Sequence, residues 1–225
     1  MRWSRWRRVS WIDTRASFIA SLPARARLLD LGTSDGKTLR HFVELRPDLI
    51  VAASDIAGTP ESYPPGTEFR SANFDVDELP WPANTLDAIT CMHVVEHLRN
   101  PRRIFEEASR VLKPGGVIYV ETPHPKSLNM SSPVGPGTEH VTVNFFDDST
   151  HIRPIPVDEL IDHLMRSSLR VIRKGTSRNL ILTAAFPILR VLKPRSRARY
   201  VSQLHWTGWS AYIIAQKAAH GPREH

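Results

Sequence analysis

The stretch LLDLGTSDG, residues 28 to 36, constrains this chain more than any other. An apolar run ends in an acid, and a glycine-rich turn follows at once. An apolar run bounded by a turn reads as a buried strand. Glycines placed after it let the backbone approach a ligand closely. The strand ARLLDL (26 to 31) therefore calls for a sheet covered on both faces, and the rest of the chain supplies the partners. LIVAASD (49 to 55), EFRSANFD (68 to 75), LDAITCMHV (86 to 94) and VIYVET (117 to 122) read as strands two to five, with LRVIRKG (169 to 175) and WSAYIIAQK (209 to 217) as two late ones. Helices are predicted over DTRASFIASLP, over Leu39 to Leu45, over NPRRIFEEASRVL, and around Val157, Leu160, Ile161 and Leu164. In the third of these Asn100 stands where a cap belongs and Pro101 fits the first turn. Ile104, Phe105, Ala108, Val111 and Leu112 share one face, and Pro114-Gly115-Gly116 ends the helix. Strands alternating with helices give an α/β protein, a doubly wound parallel sheet with helices on both faces.

The 225 residues suffice for one core with an appendage. The expected organisation is a basic N-terminal segment and helix (1–25), a main domain (26–177 and 206–218), and an inserted basic and apolar segment (178–205). One cysteine, Cys91, excludes an internal disulfide framework and a paired-cysteine metal set, and no metal site is read. The net charge of +7 suggests an acidic partner. MRWSRWRRVSW sets Arg2, Arg5, Arg7 and Arg8 beside Trp3, Trp6 and Trp11, and a second run holds Arg190, Lys193, Arg195, Arg197 and Arg199. Arg with Trp suits an anionic membrane surface; a disordered basic tail and a solvated loop would look the same. The start of the chain has no apolar signal region. LILTAAFPIL (180 to 189) is too short to span a bilayer. The expectation is a cytoplasmic protein, peripheral at the inner face of the membrane if it touches one.

In an open parallel sheet the ligand lies beyond the carboxyl ends of the strands. Asp55 ends the second strand about 20 residues past the loop, where a ribose-binding acid belongs. A dinucleotide loop wants G-x-G-x-x-G, and Gly32-Thr33-Ser34-Asp35-Gly36 has the wrong spacing. Gly36-Lys37-Thr38 carries the last letters of a Walker loop without its first glycine. Asp30 and Asp35 put negative charge where pyrophosphate needs positive charge. A ribose-bearing cation fits better, and S-adenosylmethionine is one.

At this point the chain resembles class I S-adenosylmethionine-dependent methyltransferases of the small bacterial type. LLDLGTSDG is similar to the family's first motif, ASD (53 to 55) to its second-strand acid, FDVDELPWPANTLDAITCMHVVEHL to its central segment, and EASRVLKPGGVIYVETP to its helix and fifth strand. The resemblance covers roughly 26 to 175. It implies a Rossmann-like seven-stranded sheet, mostly parallel, with an antiparallel last strand, and S-adenosylmethionine as cofactor. It implies that Gly32, Thr33, Ser34 and Gly36 wrap the methionine part and that Asp30 orients the loop and the ammonium. Asp55 would hold the ribose, Asp75 the adenine amino group with Val76 beside it, and Met92 and His93 would border the methyl. Ser34 departs from the usual middle glycine.

A hydroxyl acceptor needs a base, and histidine suits that work near neutral pH. His93 and His151 are the catalytic candidates; His97 reads as structural. His140, Asp148 and Arg153 are candidates for binding the acceptor, Arg153 on an anion. The preferred acceptor is a hydroxyl of a glycan, lipid-linked molecule or small metabolite. RNA comes next on charge, although no RNA-binding module is recognisable. CMHV stands where amino-group methylation of bases would place an asparagine-proline pair. A non-catalytic binding protein of this fold and a nicotinamide oxidoreductase are the rival readings.

Overall fold

A computed structural model describes residues 8–135, 137–138 and 141–219. Among these residues seven strands form one sheet: β1 (Arg27–Leu31), β2 (Ile50–Asp55), β3 (Glu68–Ser71), β4 (Leu86–Met92), β5 (Leu112–Pro123), β6 (Leu169–Thr176) and β7 (Ser210–Lys217). Their spatial order is β3-β2-β1-β4-β5-β7-β6. β1, β2, β3, β4 and β5 pair in parallel, and β7 runs antiparallel to both of its neighbours. The Rossmann-like, mostly parallel seven-stranded sheet with an antiparallel last strand is thus observed.

The helices are α1 (Thr14–Ser21), α2 (Lys37–Leu45), α3 (Pro101–Val111), α4 (Val157–Arg166), α5 (Leu180–Leu192) and α6 (Arg197–Thr207). Two buried clusters, one on each face, explain why the strands read as continuous apolar runs. Ile104, Phe105 and Ala108 of α3 and Leu160 and Leu164 of α4 pack on one face. Ala16 and Ile19 of α1 and Leu39 and Phe42 of α2 pack on the other. Within the basic segment, α1 therefore packs one face, Ala16, Phe18 and Ile19, into the core. Asp13 starts that helix. Its Oδ1 accepts from the N–H groups of Arg15 and Ala16, both at 3.0 Å, and its Oδ2 accepts from Asn179 at 3.0 Å. One buried carboxylate joins the first turn of α1 to the first turn of α5.

Several boundaries differ from the sequence reading. The third strand stops at Ser71 rather than Asp75. Asn73 accepts from the N–H of Asp75 at 3.1 Å, and Asp77 accepts from that of Asn73 at 2.8 Å, so side chains replace the ladder with a turn. The helix after Asn100 ends at Val111, before Pro114, because Leu112 already pairs with Leu86 across an irregular register. Asn100 sits at the cap position without using its side chain. Instead Asp75 Oδ1 accepts from the N–H groups of Arg99 and Asn100, at 2.9 and 3.0 Å. The segment 178–205 forms most of two helices packed on each other, α5 and α6, the second closed by Gly208 in the left-handed region. Among the described residues no helix is long and apolar enough to cross a membrane.

Asp30 lies on β1 at 2% exposure and accepts from Thr90 Oγ1 of β4 at 2.6 Å. Burial raises its pKa to about 6 against the pull of the Thr90 hydroxyl.

Two measurements check this account. Asp13→Ala loses a cap and leaves Asn179 without its acceptor, so urea denaturation should show a loss of about 1–3 kcal/mol. The folded state holds the Asp30 proton more tightly than the unfolded chain does. Its contribution therefore falls as pH rises from about 4 to about 6. Asp30→Asn lacks that loss, so over this window it should gain on wild type by on the order of 2 kcal/mol in denaturation midpoints converted to free energy.

Candidate active site

The carboxyl ends of β1, β2, β4 and β5 open on one edge of the sheet. After β1 the chain turns through Gly32 (φ 70°), Ser34 (φ 47°) and Gly36 (φ 71°) into α2. A Cβ on Gly32 would come 2.3 Å from Val94 Cγ2, and one on Gly36 would come 2.5 Å from Tyr63 Cδ1. Both glycines are thus required by space as well as by backbone angle. Ser34 adopts the left-handed conformation at a cost of about 1–2 kcal/mol. Its N–H donates to Asp55 Oδ2 at 2.9 Å, and Tyr63 Oη donates to its carbonyl at 3.2 Å. Asp55 Oδ1 accepts from the N–H of Ile56 at 2.7 Å. The end of β2 therefore braces the loop that follows β1. Thr33 is buried within that loop.

Asp35 is exposed, accepts from the N–H of Lys37 and pairs with its ammonium. It fixes the first turn of α2. Asp75 is half-buried, with Oδ1 on the α3 entrance, and Val76 beside it is 63% exposed. Met92 is half-buried against the cluster under α1 and α2. The set suits S-adenosylmethionine: acids at the ends of β1 and β2 and beyond β3 match a ribose and a positive charge, and the glycine loop leaves the backbone uncovered.

His93, next after β4, has φ 56°. Its Nδ1 lies 3.2 Å from Glu96 Oε1 and its Nε2 3.4 Å from Glu121 Oε1. Both carboxylates are buried, at 1% and 0% exposure. Arg15 of α1 donates twice to Glu121, from Nε at 2.9 Å and from Nη2 at 2.5 Å, and Tyr119 Oη donates at 2.6 Å. Burial pushes the His93 pKa down, but hydrogen bonds to Glu121 and Glu96 outweigh it and raise the pKa to about 9. Burial likewise pushes Glu121 up, and Arg15 and His93 together hold it well below the carboxylate range. Neither ring nitrogen of His93 is free to take a proton, so the geometry does not suit the general-base role expected for it. It is a charged member of a buried network.

His151 follows the long connection after β5. Its Nδ1 donates to the carbonyl of Phe145 at 2.5 Å, and its ring lies 4.7 Å from that of His97, centroid to centroid. His97 Nδ1 meets Thr150 Oγ1 at 2.9 Å, and Thr150 donates to Asp148 Oδ1 at 2.6 Å. His93, His97, Asp148, His151, Arg197 and Trp209 line a cavity of about 350 Å³, over which α6 also lays Val201 and Leu204. Trp209 Nε1 donates to the carbonyl of Val143 at 2.7 Å and ties the connection down. Arg153, expected to bind the acceptor, does not line this cavity. Its guanidinium pairs instead with Glu159 in the first turn of α4, with Nη1 at 2.9 Å from the carboxylate. His140 lies outside the described residues. A larger cleft of about 1120 Å³, at Asn84, Arg110 and Lys217, opens at the opposite end of the sheet.

The sequence reading missed Arg15, Glu96 and Glu121 and took His97 as structural. Glu121 carried a signal, since it interrupts the apolar run VIYVET as Asp30 and Asp55 end theirs. Arg15 carried none, being one cation among many near the N-terminus.

Comparison with known proteins agrees with this geometry. A family model described as a methyltransferase domain matches residues 3–173. A ubiquinone biosynthesis O-methyltransferase of Marinobacter nauticus is 30% identical over 179 residues, covering 73% of this chain and 70% of that protein. One of the same name from Dechloromonas aromatica is 28% identical, covering 51% and 50%. An S-adenosylmethionine-dependent methyltransferase structure from Mesorhizobium loti superposes with a TM-score of 0.62 at 18% identity, over 89% of this chain and 96% of that one. One from Archaeoglobus fulgidus gives 0.59 at 18%, over 96% and 92%. The chain belongs to the methyltransferase domain family and is a class I S-adenosylmethionine-dependent methyltransferase of the small bacterial type.

Proposed function

We propose that this methyltransferase acts on a hydroxyl oxygen of a small-molecule, glycan or lipid-linked acceptor. The observation that carries the reading is the cavity beside His93, with the imidazoles of His97 and His151 in its wall. The names of the relatives, O-methyltransferases of ubiquinone biosynthesis, support an oxygen acceptor. A cavity of about 350 Å³ walled by α6 suits a small acceptor group better than the face of a folded RNA.

Bound S-adenosylmethionine supplies a methyl group on a positive sulfur. The chain's part is to align the acceptor oxygen in line with that methyl, which is worth several kcal/mol, and to exclude water. Gly32, Thr33, Ser34 and Gly36 would hold the methionine part, Asp55 the ribose, and Asp75 with Val76 the adenine. Asp55 would meet the ribose hydroxyls with the same carboxylate that braces the loop. The His93 network keeps the end of β4 rigid beneath the reacting atoms. His151 is oriented by Phe145 so that its other ring nitrogen carries the lone pair. That nitrogen, with the one on His97, is the group available to draw the proton from an acceptor hydroxyl.

Calorimetric titration with S-adenosylmethionine, S-adenosylhomocysteine and NADH tests the cofactor side. Wild type should bind the first two with Kd on the order of micromolar and NADH not at all. Asp55→Ala should weaken both by at least about tenfold, the loss of roughly 1.4 kcal/mol. Binding of neither would point to a non-catalytic protein of this fold and sink the proposal.

A lipid-linked acceptor fits the surface of the helical pair. α5 exposes Ile188, Val191 and Leu192, at 62%, 76% and 72%, next to Arg190 and Lys193. Apolar side chains flanked by cations suit the face of an anionic membrane, as expected for a cytoplasmic enzyme working at the inner leaflet. Sedimentation with phosphatidylserine vesicles should carry wild type down at low salt. Val191→Glu with Leu192→Glu should leave it in the supernatant, and equal sedimentation of the two would exclude this docking face.

A further inference from the structure

We propose that Glu96, His97 and His151 form a binding site for one divalent transition-metal cation in the wall of the acceptor cavity. One carboxylate oxygen of Glu96 and one ring nitrogen from each histidine lie within 4.8 Å of one another. Two imidazoles and a carboxylate are the donor set of many zinc sites that keep a position open, and imidazole suits zinc, iron, cobalt and nickel better than magnesium or calcium.

Hydrogen bonds outside the triad decide which atoms face the cation. Phe145 offers only a carbonyl, so His151 Nδ1 must carry the proton at that 2.5 Å contact and Nε2 bears the lone pair. Thr150 has one hydroxyl proton and gives it to Asp148 Oδ1. Thr150 Oγ1 therefore accepts from His97 Nδ1, and His97 Nε2 bears its lone pair as well. A carbonyl or carboxylate behind the far nitrogen is what orients histidines that bind metals, and here each histidine has one, His97 through the Thr150 hydroxyl. Glu96 is fixed by Thr122, which donates to Oε2 at 3.0 Å, and by His93 at Oε1. The backbone closes the cluster, since the N–H of Ile152 donates to the Glu96 carbonyl at 2.9 Å. Asp148 Oδ2 stands 3.9 Å from His151 Nε2, within reach of a fourth position.

A spacing of up to 4.8 Å exceeds the about 3.4 Å edge of a tetrahedron with metal–ligand bonds near 2.1 Å. Small rotations about the side-chain bonds close that difference, and His97 is only half-buried. A cation there would take both imidazole lone pairs, so it would replace them as the group that activates the acceptor hydroxyl, by binding it and lowering its pKa. That role rests on the O-methylation reading; the site itself does not.

The test uses the full chain, stripped with chelator and titrated with Zn²⁺ by calorimetry and with Co²⁺ by visible absorption. Wild type should bind one equivalent of each, with Kd for Zn²⁺ on the order of micromolar or tighter. His97→Gln and His151→Gln should each weaken Zn²⁺ by at least about tenfold, and the double variant should lose the equivalent. S-adenosylhomocysteine affinity should stay at the wild-type value in all three, which separates loss of the cation from loss of the fold or of the cofactor site. If His151→Gln fails to fold, Co²⁺ on wild type still reads the site: the ring proton signals of His97 and His151 should broaden first. No stoichiometric binding by wild type, an unchanged equivalent in the double variant, or broadening confined to other histidines would each overturn the proposal.

Discussion

A carboxylate with no exposure to water must be compensated where it stands, and Glu121 is such a group. Arg15, His93 and Tyr119 supply the compensation from three directions. Each partner brings a different element with it. Arg15 draws α1 onto the open edge of the sheet, His93 forces a left-handed turn after β4, and Tyr119 comes from β5 itself. The His93 N–H also donates to the Glu121 carbonyl at 2.7 Å. The floor of the active site is thus set by electrostatics, while the two apolar faces of the sheet hold the helices in place.

The site divides into two halves with different mechanics. On the β1–β2–β3 side, acids hold loops. Asp55 braces the glycine turn and Asp75 holds the entrance of α3, so each has a structural duty as well as its expected contact with the cofactor. On the β4–β5 side, imidazoles line an open cavity, and α6 with the connection after β5 forms its other wall. Trp209 joins that wall to the start of β7 through its bond to Val143.

The alternation of strands and helices was legible in the sequence because a sheet buried on both faces demands apolar runs, and the acids ending those runs marked the ligand edge. Local turn chemistry was less so. EFRSANFD reads as one strand until Asn73 and Asp77 are seen to compete for the backbone N–H groups. Asn100 has the right identity for a cap, yet a carboxylate distant in sequence does that work. Arg153 was placed by its neighbours in the chain, but the choice of Glu159 over the cavity depends on where α4 begins. The Glu96, His97 and His151 cluster comes from two segments that only the folded chain brings together, so no spacing rule applied to either segment finds it.

The position of β7 has a consequence for how the molecule is made. Among the described residues β7 is the last strand but lies between β5 and β6, and β6 has no other neighbour in the sheet. During synthesis, β5 therefore remains an unpaired edge and β6 has nowhere to dock until residues 210–217 leave the ribosome. Contacts this distant in sequence close slowly, and an unpaired strand edge is a template for association with other chains. α6, which walls the cavity beside His97 and His151, is translated inside that same interval, between β6 and β7. That wall is therefore set in the step that seals the sheet, and a nascent chain halted before β7 would hold the cofactor motifs without it.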